Sequence, residues 1–453
     1  MAKLPPPPPA LPPTHQPARP SRWPQTFRSL RHRNYRLWFF GQGLSLIGTW
    51  MQTVAQQVLL YRLTGSAAAL GLASFIGLIP LAPLALWGGS MADRFPKRRV
   101  LLITQAAMLA QALALAVLTF SDAVQVWQVY VLTLALGAVQ AIDIPVRLAF
   151  TSEMVDATGD QRASREDLTN AIGLNAAIFN AARAVGPALA GLTVAAVGES
   201  AAFFMNGLSF IPVIVSLLLM RGLPAAERSS LGAGGVAHHT AAGVRFVIQQ
   251  RTLLILVSLV AVSALLAMPF NTLMPVFASE TLNQSAQPVV EALCSRWLSC
   301  QTPAALPLGM LLSVVGVGAL VGALSVASLP AQARRGRMLT IGNLVFPLIL
   351  LAFALTDSFA LALLLMFGAG VSFVWQNALA NTLIQIHTPD RLRGRVLSLY
   401  SFTFQGMMRV GSLQAGFMAD RLGAGLALGM GAAVALVYGL YMAVRYPAVR
   451  ELA

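Results

Sequence analysis

Twelve apolar stretches of about 19 to 29 residues alternate with short polar connections along the chain. They occupy 37–62, 66–91, 98–120, 124–149, 168–196, 200–220, 252–280, 306–329, 338–356, 359–386, 394–420 and 424–445. Each is long enough to cross about 30 Å of hydrocarbon as a helix. Lipid offers backbone amides no partner, so every stretch is expected to be helical. A charged connection from Arg221 to Arg251 divides the stretches six and six, and Gly232, Gly234 and Gly235 are expected to make its start flexible. Leu174–Gly191 can be laid over Leu399–Gly416 without a gap, with Leu174/Leu399, Phe179/Phe404, Gly186/Gly411 and Gly191/Gly416 identical. Two such halves related by an axis along the membrane normal are a transporter plan. The pattern therefore predicts an all-α membrane protein of twelve transmembrane helices in two pseudo-symmetric six-helix halves. The expected divisions are a tail over 1–24, a first half over 25–221, a linker over 222–250 and a second half over 251–453.

Polar residues inside these stretches are the functional candidates, because a polar group in a membrane must face protein or water. Gln42, Ser45, Thr49, Gln52 and Gln56 recur every three or four residues in the first stretch and make one stripe. Trp375, Gln376, Asn377, Asn381 and Gln385 give the tenth a similar face. Such faces line a cavity or bond neighbouring helices. Phe270, Asn271, Trp50 and Tyr400 are weaker additions. Arg183 and Arg409 fall near mid-membrane, one position apart in the repeat alignment. Each either holds an anionic group of a substrate or bonds helix carbonyls and locks packing. Asp143 and Arg147, four apart, can pair on one helix. Asp143 is a candidate proton carrier or a structural latch.

Charge and composition narrow the class. Apolar residues are 57% of the chain and charged residues 10%, which excludes a disordered chain and leaves too little charge for the surface of a soluble enzyme. The net charge is +15, but position explains it. With the N-terminus cytoplasmic, the basic residues gather on the cytoplasmic side, leaving Arg62, Arg296 and Arg421 outside and Arg183 and Arg409 within spans. Nucleic acid is not needed as a partner. The first residues, rich in proline from Pro5 to Pro9, favour polyproline II and are expected to form a disordered tail; no secretory signal precedes the first span. Cys294 and Cys300 share one external loop, where an oxidising compartment permits a disulfide. No helical metal-site spacing joins His238, His239 and His387, and no phosphate-binding loop or catalytic serine pattern occurs. The reading is therefore of a non-enzyme without metal, nucleotide or other cofactor.

The loop Gly89-Ser90-Met91-Ala92-Asp93-Arg94-Phe95-Pro96-Lys97-Arg98-Arg99 resembles the signature loop of the major facilitator superfamily, with Pro96 in place of the usual second glycine. The resemblance implies a conformational latch of Gly89, Asp93, Arg94, Lys97, Arg98 and Asp143. Asp93 would sit at the positive start of the eleventh helix, and Lys97 would pair with Asp143 on the fourth. Gly173, Ala182, Gly186, Pro187, Ala190 and Gly191 resemble the superfamily's exporter motif, with alanine at two positions. Ala182-Arg183-Ala184-Val185-Gly186-Pro187, Ala202-Phe203-Phe204-Met205-Asn206 and Pro389-Asp390-Arg391-Leu392-Arg393-Gly394-Arg395-Val396 resemble the branch containing enterobactin exporters. Relative to that branch, 288–303 is extra.

The resemblance implies a monomeric inner-membrane exporter with cytoplasmic termini. It would carry a small amphipathic molecule, siderophore-like or drug-like, by proton antiport and rocker-switch alternating access. A lysophospholipid-type transporter of the same fold is the first alternative, and a non-transporting sensor or scaffold the second.

Overall fold

The computed structural model describes residues 25–81, 84, 95–155, 161–223, 236–296, 300–330 and 333–452. Gly89, Asp93, Arg94 and the proline-rich tail lie outside them. The helices of the first set are α1 (Arg33–Thr64), α2 (Ala67–Ile76), α3 (Lys97–Phe120), α4 (Val126–Val155), α5 (Gln161–Val197) and α6 (Glu199–Leu219). A connecting helix α7 (Val236–Gln249) follows. The second set holds α8 (Arg251–Leu266), α9 (Phe270–Val276), α10 (Asn283–Arg296), α11 (Ala305–Ala327), α12 (Arg335–Ala354), α13 (Phe359–Ile386), α14 (Asp390–Leu422) and α15 (Ala424–Arg445). Every apolar stretch of the sequence thus contains a described helix. Among the described residues nine helical segments are long and apolar enough to cross a membrane, one of them running from α8 through α9 to Thr281. Helices α1 and α14, of 32 and 33 residues, are equally long but carry more polar side chains.

Local chemistry sets the helix ends. Gly65 closes α1 in the left-handed region at φ 59°, its amide bonded to the Tyr61 carbonyl at 2.7 Å. Ser66 then starts α2, its hydroxyl accepting the Ala69 amide. The seventh stretch is interrupted, where sequence alone read one continuous helix. Helix α8 ends before Ala267-Met268-Pro269, and α9 follows with Pro275 inside it. Proline lacks the amide a continuing helix needs. The segment that holds the two cysteines is partly helical, since α10 occupies most of 288–303, and Cys294 is bonded to Cys300.

Large apolar side chains cover the outside of the bundle, among them Ile103, Phe120, Leu148, Leu364, Val437 and Val444. Water would disfavour so much exposed apolar surface, whereas a bilayer solvates it. Inside, one buried cluster joins Met51, Val54 and Ala195 of the first set to Phe277, Leu306 and Phe353 of the second. This shared core lies toward the arginine-poor end. At the opposite, arginine-rich end the described core separates in two. One cluster holds Tyr35, Trp38 and Phe150, and the other Leu256, Leu383 and Tyr400. The sets therefore close on each other at one end and keep separate cores at the other.

At the arginine-rich end the segment just before α1 is fastened to α5. Buried Asp167 receives Arg28 Nε at 2.6 Å and His32 Nε2 at 2.8 Å, and also pairs with Arg31. Ser29 donates its amide to Asn170 at 3.0 Å.

Candidate functional site

Two helix seams join the sets, and the sequence repeat appears in both. In α5, a Cβ on Gly186 would stand 2.4 Å from the Cβ of Trp50 on α1. In α14, one on Gly411 would stand 2.0 Å from the Leu265 carbonyl on α8. One turn on, Gly191 faces Gly309 of α11, and its repeat counterpart Gly416 faces the Ala67 carbonyl of α2. Repeat-equivalent glycines thus press α5 and α14 first onto a helix of their own set, then onto a helix of the other set. Small residues permit this approach. Ala184 of α5 continues the first seam against Gly316 of α11. Gly173, the remaining glycine of the exporter motif, meets open space.

Arg183 sits beside this seam. Its guanidinium lies 5.8 Å from the Trp50 ring of α1 and 5.3 Å from the Phe373 ring of α13. Phe179 packs edge-on against Trp50, and Phe404 stacks on Phe373. Cation–π contacts of this kind give a guanidinium attraction without using its donors. No hydrogen bond or ion pair to Arg183 occurs among the described residues, so five N–H donors face a site walled by aromatic rings of both sets. Arg409 is placed differently. It donates to the Ser74 carbonyl near the end of α2 at 3.0 Å, and so ties α14 to α2. Of the two roles open to it, the structure supplies the packing contact.

Several polar residues of the two stripes bond within their own set. Gln52 donates to Gln111 of α3 at 3.0 Å and accepts from Asn206 of α6 at 2.6 Å. Gln56 donates to Thr133 of α4 at 2.8 Å. Gln376 accepts from Ser263 of α8 at 2.9 Å and donates to Asn343 of α12. Trp375 donates to Ser325 of α11, and Asn377 accepts from Tyr400. Thr49 donates to the Ser45 carbonyl, and Asn271 reaches only the Met268 carbonyl. Gln42 is buried and its Oε1 has no partner among the described residues. Asn381 and Gln385 bond each other on the open side of α13.

Asp143 is fully buried. Its Oδ1 accepts from Thr104 at 2.7 Å and Gln105 at 3.0 Å, and its Oδ2 pairs with Arg147. Both oxygens are occupied as acceptors between α3 and α4. The expected pairing of Lys97 with Asp143 is corrected here. Lys97 pairs with Glu153 at 2.5 Å, and Arg98 donates to the Leu218 carbonyl. Sequence reasoning passed over Glu153 because α4 continues to Val155, beyond the apolar stretch. It also missed Gln111, Asn343 and Asp167, and gave Asn206 and Phe373 no role. The polarity of Gln111 and Asn343 inside apolar stretches was the available signal.

The fold defines a helical membrane transporter. The profile of the transmembrane secretion effector family matches residues 24–452, and the chain belongs to that family of the major facilitator superfamily. Its relatives include the multidrug efflux pump Tap of Mycobacterium tuberculosis, 25% identical across 91% of this chain and 93% of that protein. The enterobactin exporter EntS of Shigella boydii is 24% identical across 82% of this chain and 81% of its own. The staphyloferrin A transporter of Staphylococcus aureus is 26% identical, over 41% of this chain and 45% of its own length. Among solved structures, a mutant of the nucleoside transporter NupG superposes with a TM-score of 0.67 at 11% identity, covering 93% of this chain and all of that one. A bacterial homologue of the lysosomal transporter Spinster, inward-facing and occupied, also gives 0.67, at 13% identity over 94% and 97%.

Proposed function

We propose that the protein exports a small amphipathic molecule carrying an anionic group, by alternating access between its two six-helix halves. The observation that carries this reading is Arg183, a cation at the seam between halves with rings on both sides and no counter-charge among the described residues. A desolvated cation favours an anion, and an apolar wall favours a ligand with an apolar body. Export, rather than uptake, is supported by relatives that are efflux pumps and siderophore exporters, and by the small-residue motif of α5. The excess of basic residues supports a cytoplasmic arginine-rich end, with both termini on that side. The closed arginine-poor end would then face outward, and the arginine-rich end, where the two sets keep separate cores, would be the side on which cargo is loaded.

The sequence holds no phosphate-binding loop, so the energy source proposed is an ion or substrate gradient, with protons as the ion proposed. Asp143 is assigned a structural role, holding α3 to α4 with Arg147, because each of its oxygens already has a donor. The transporter is proposed to work as a monomer in the inner membrane.

The test compares small molecules outside and inside a deletion strain and its complemented parent, with and without a protonophore. The reading expects an anionic compound lost outside and accumulated inside the deletion strain, restored by the wild-type gene but not by Arg183→Gln. Identical profiles in the polar and lipid fractions of both strains would overturn it. Export that survives the protonophore would overturn proton coupling alone.

A further inference from the structure

A second feature of the seams deepens this reading and rests on it. Asp420, at the outer end of α14 in the second half, reaches across to the start of α2 in the first. Its Oδ1 accepts the Ala67 amide at 2.6 Å, and its Oδ2 accepts the Ala68 amide at 3.2 Å and the Ser66 hydroxyl at 2.5 Å. The first amides of a helix have no partner within it and carry the positive end of its dipole. An acid supplied by one half therefore caps a helix of the other.

The other seam shows the same arrangement in backbone form. Continuing the repeat register four residues beyond Gly191/Gly416 sets Ala195 opposite Asp420. The Ala195 carbonyl, near the outer end of α5, accepts the amides of Gln301 at 2.6 Å and Thr302 at 3.1 Å, just before α11. Both seams thus close at the outer end by amides at the start of the crossing helix, or just before it, donated to an acceptor on the long helix. Only at Asp420 is that acceptor a side chain. Tyr61 of the first half also donates to Glu280 of the second at this end.

We infer that Asp420 is a gating residue of the transport cycle, capping α2 only while the outer end is closed. When the halves rock apart there, α14 withdraws and the amides of Ala67 and Ala68 turn to water. Ser66 keeps its own bond to Ala69 in either state. The Asp420 contacts therefore belong to one conformation, and a contact made in one state only shifts the balance between states. Asp93 was expected to cap the start of α14 at the opposite end. Asp420 does the same for α2, since the two helices run antiparallel.

The experiment is a distance measurement between spin labels, on full-length protein in lipid nanodiscs without substrate. Asp122→Cys in the α3–α4 turn and Leu355→Cys after α12 place one exposed label on each half at the outer end. The native pair is replaced by Cys294→Ser and Cys300→Ser. Wild type is expected to show mainly the short distance. Asp420→Ala should raise the ratio of long to short distances about fivefold, the effect of one lost cap of ordinary strength. Asp420→Asn, which keeps an acceptor and the side-chain size but loses the negative charge at the helix start, should raise it about twofold. Wild-type ratios in both variants overturn the inference, and if only Asp420→Asn stays monodisperse, a wild-type ratio in it does so. The readout needs no cargo. A shifted ratio beside unchanged export of every compound would therefore leave the gate standing and overturn the transport reading instead.

Discussion

Gly191 of α5 and Gly309 of α11 meet backbone to backbone across the two halves. A Cβ on Gly191 would stand 3.0 Å from the Gly309 Cα, and one on Gly309 would stand 2.8 Å from the Gly191 Cα. Neither neighbour is a flexible side chain, so nothing can give without moving a helix. The seam is closed by the absence of side chains, and this gives the small-residue motif of α5 its physical content.

Gly309→Leu is accordingly expected to pry α5 from α11 at the outer end. Overpacking of this kind costs about 1–3 kcal/mol. The thermal midpoint of purified protein should fall, and the same spin-label pair should report a longer outer distance. Gly173→Leu, whose Cβ meets open space, should leave both unchanged.

Arg183→Gln should weaken cargo binding about 10- to 100-fold, since hydrogen bonds to a charged group contribute about 1.5–3 kcal/mol. Arg183→Lys should recover part of the loss, keeping the charge without the planar fork. Binding titrations with the exported compound would read this. The thermal midpoint should barely move, because Arg183 has no hydrogen bond or ion pair to lose among the described residues. A large drop in stability would instead mark it as a packing residue.

Asp143→Ala should destabilise strongly, by about 3 kcal/mol, the low end for a broken buried pair because Arg147 keeps some exposure. It strands Gln105 and Arg147 as donors, while Thr104 keeps the Leu101 carbonyl. Adding Arg147→Ala should cost less than the sum of the single changes, which a double-mutant cycle on unfolding would show. Asp143→Asn is expected to lower stability while leaving the pH dependence of export in place.

Lys97→Glu and Glu153→Lys should each weaken the attachment of α3 to α4, and the double exchange should restore it. Both side chains are about four-fifths buried, so a coupling near 1 kcal/mol is expected, above a fully exposed pair. Thermal midpoints of the four proteins would measure it. If Lys97 acted through Asp143 instead, the exchange would restore nothing.

Much of the architecture was legible in the chain. Apolar stretches longer than the hydrocarbon thickness leave one solution for the backbone, so helix positions follow from composition alone. Gly186/Gly411 and Gly191/Gly416 were visible as a repeat before their contacts were known. The break at Pro269 was less legible, because Pro275 lies inside the following helix and the same residue type ends one helix and is tolerated in another.

The candidate site was read more unevenly. Polarity marked Gln52, Gln376, Arg183 and Arg409 as important but could not say what each faces. In lipid a polar side chain must find a partner, and a neighbouring helix serves as well as a water-filled path. Gln52 found Gln111 and Asn206, and Arg409 found the Ser74 carbonyl. Only Arg183 was left with aromatic faces instead of partners.

The residues alone therefore determined the helical membrane class, the two-part repeat and the arginine asymmetry, because each depends on composition and spacing along one chain. The tertiary structure decided that Arg183 meets aromatic rings and Arg409 a carbonyl among the described residues, that Lys97 takes Glu153, and that Asp420 caps a helix more than 350 residues away. Those outcomes depend on which helices touch and at what height. That is set by the fit of small residues across the seams, and one-dimensional periodicity carries no record of it.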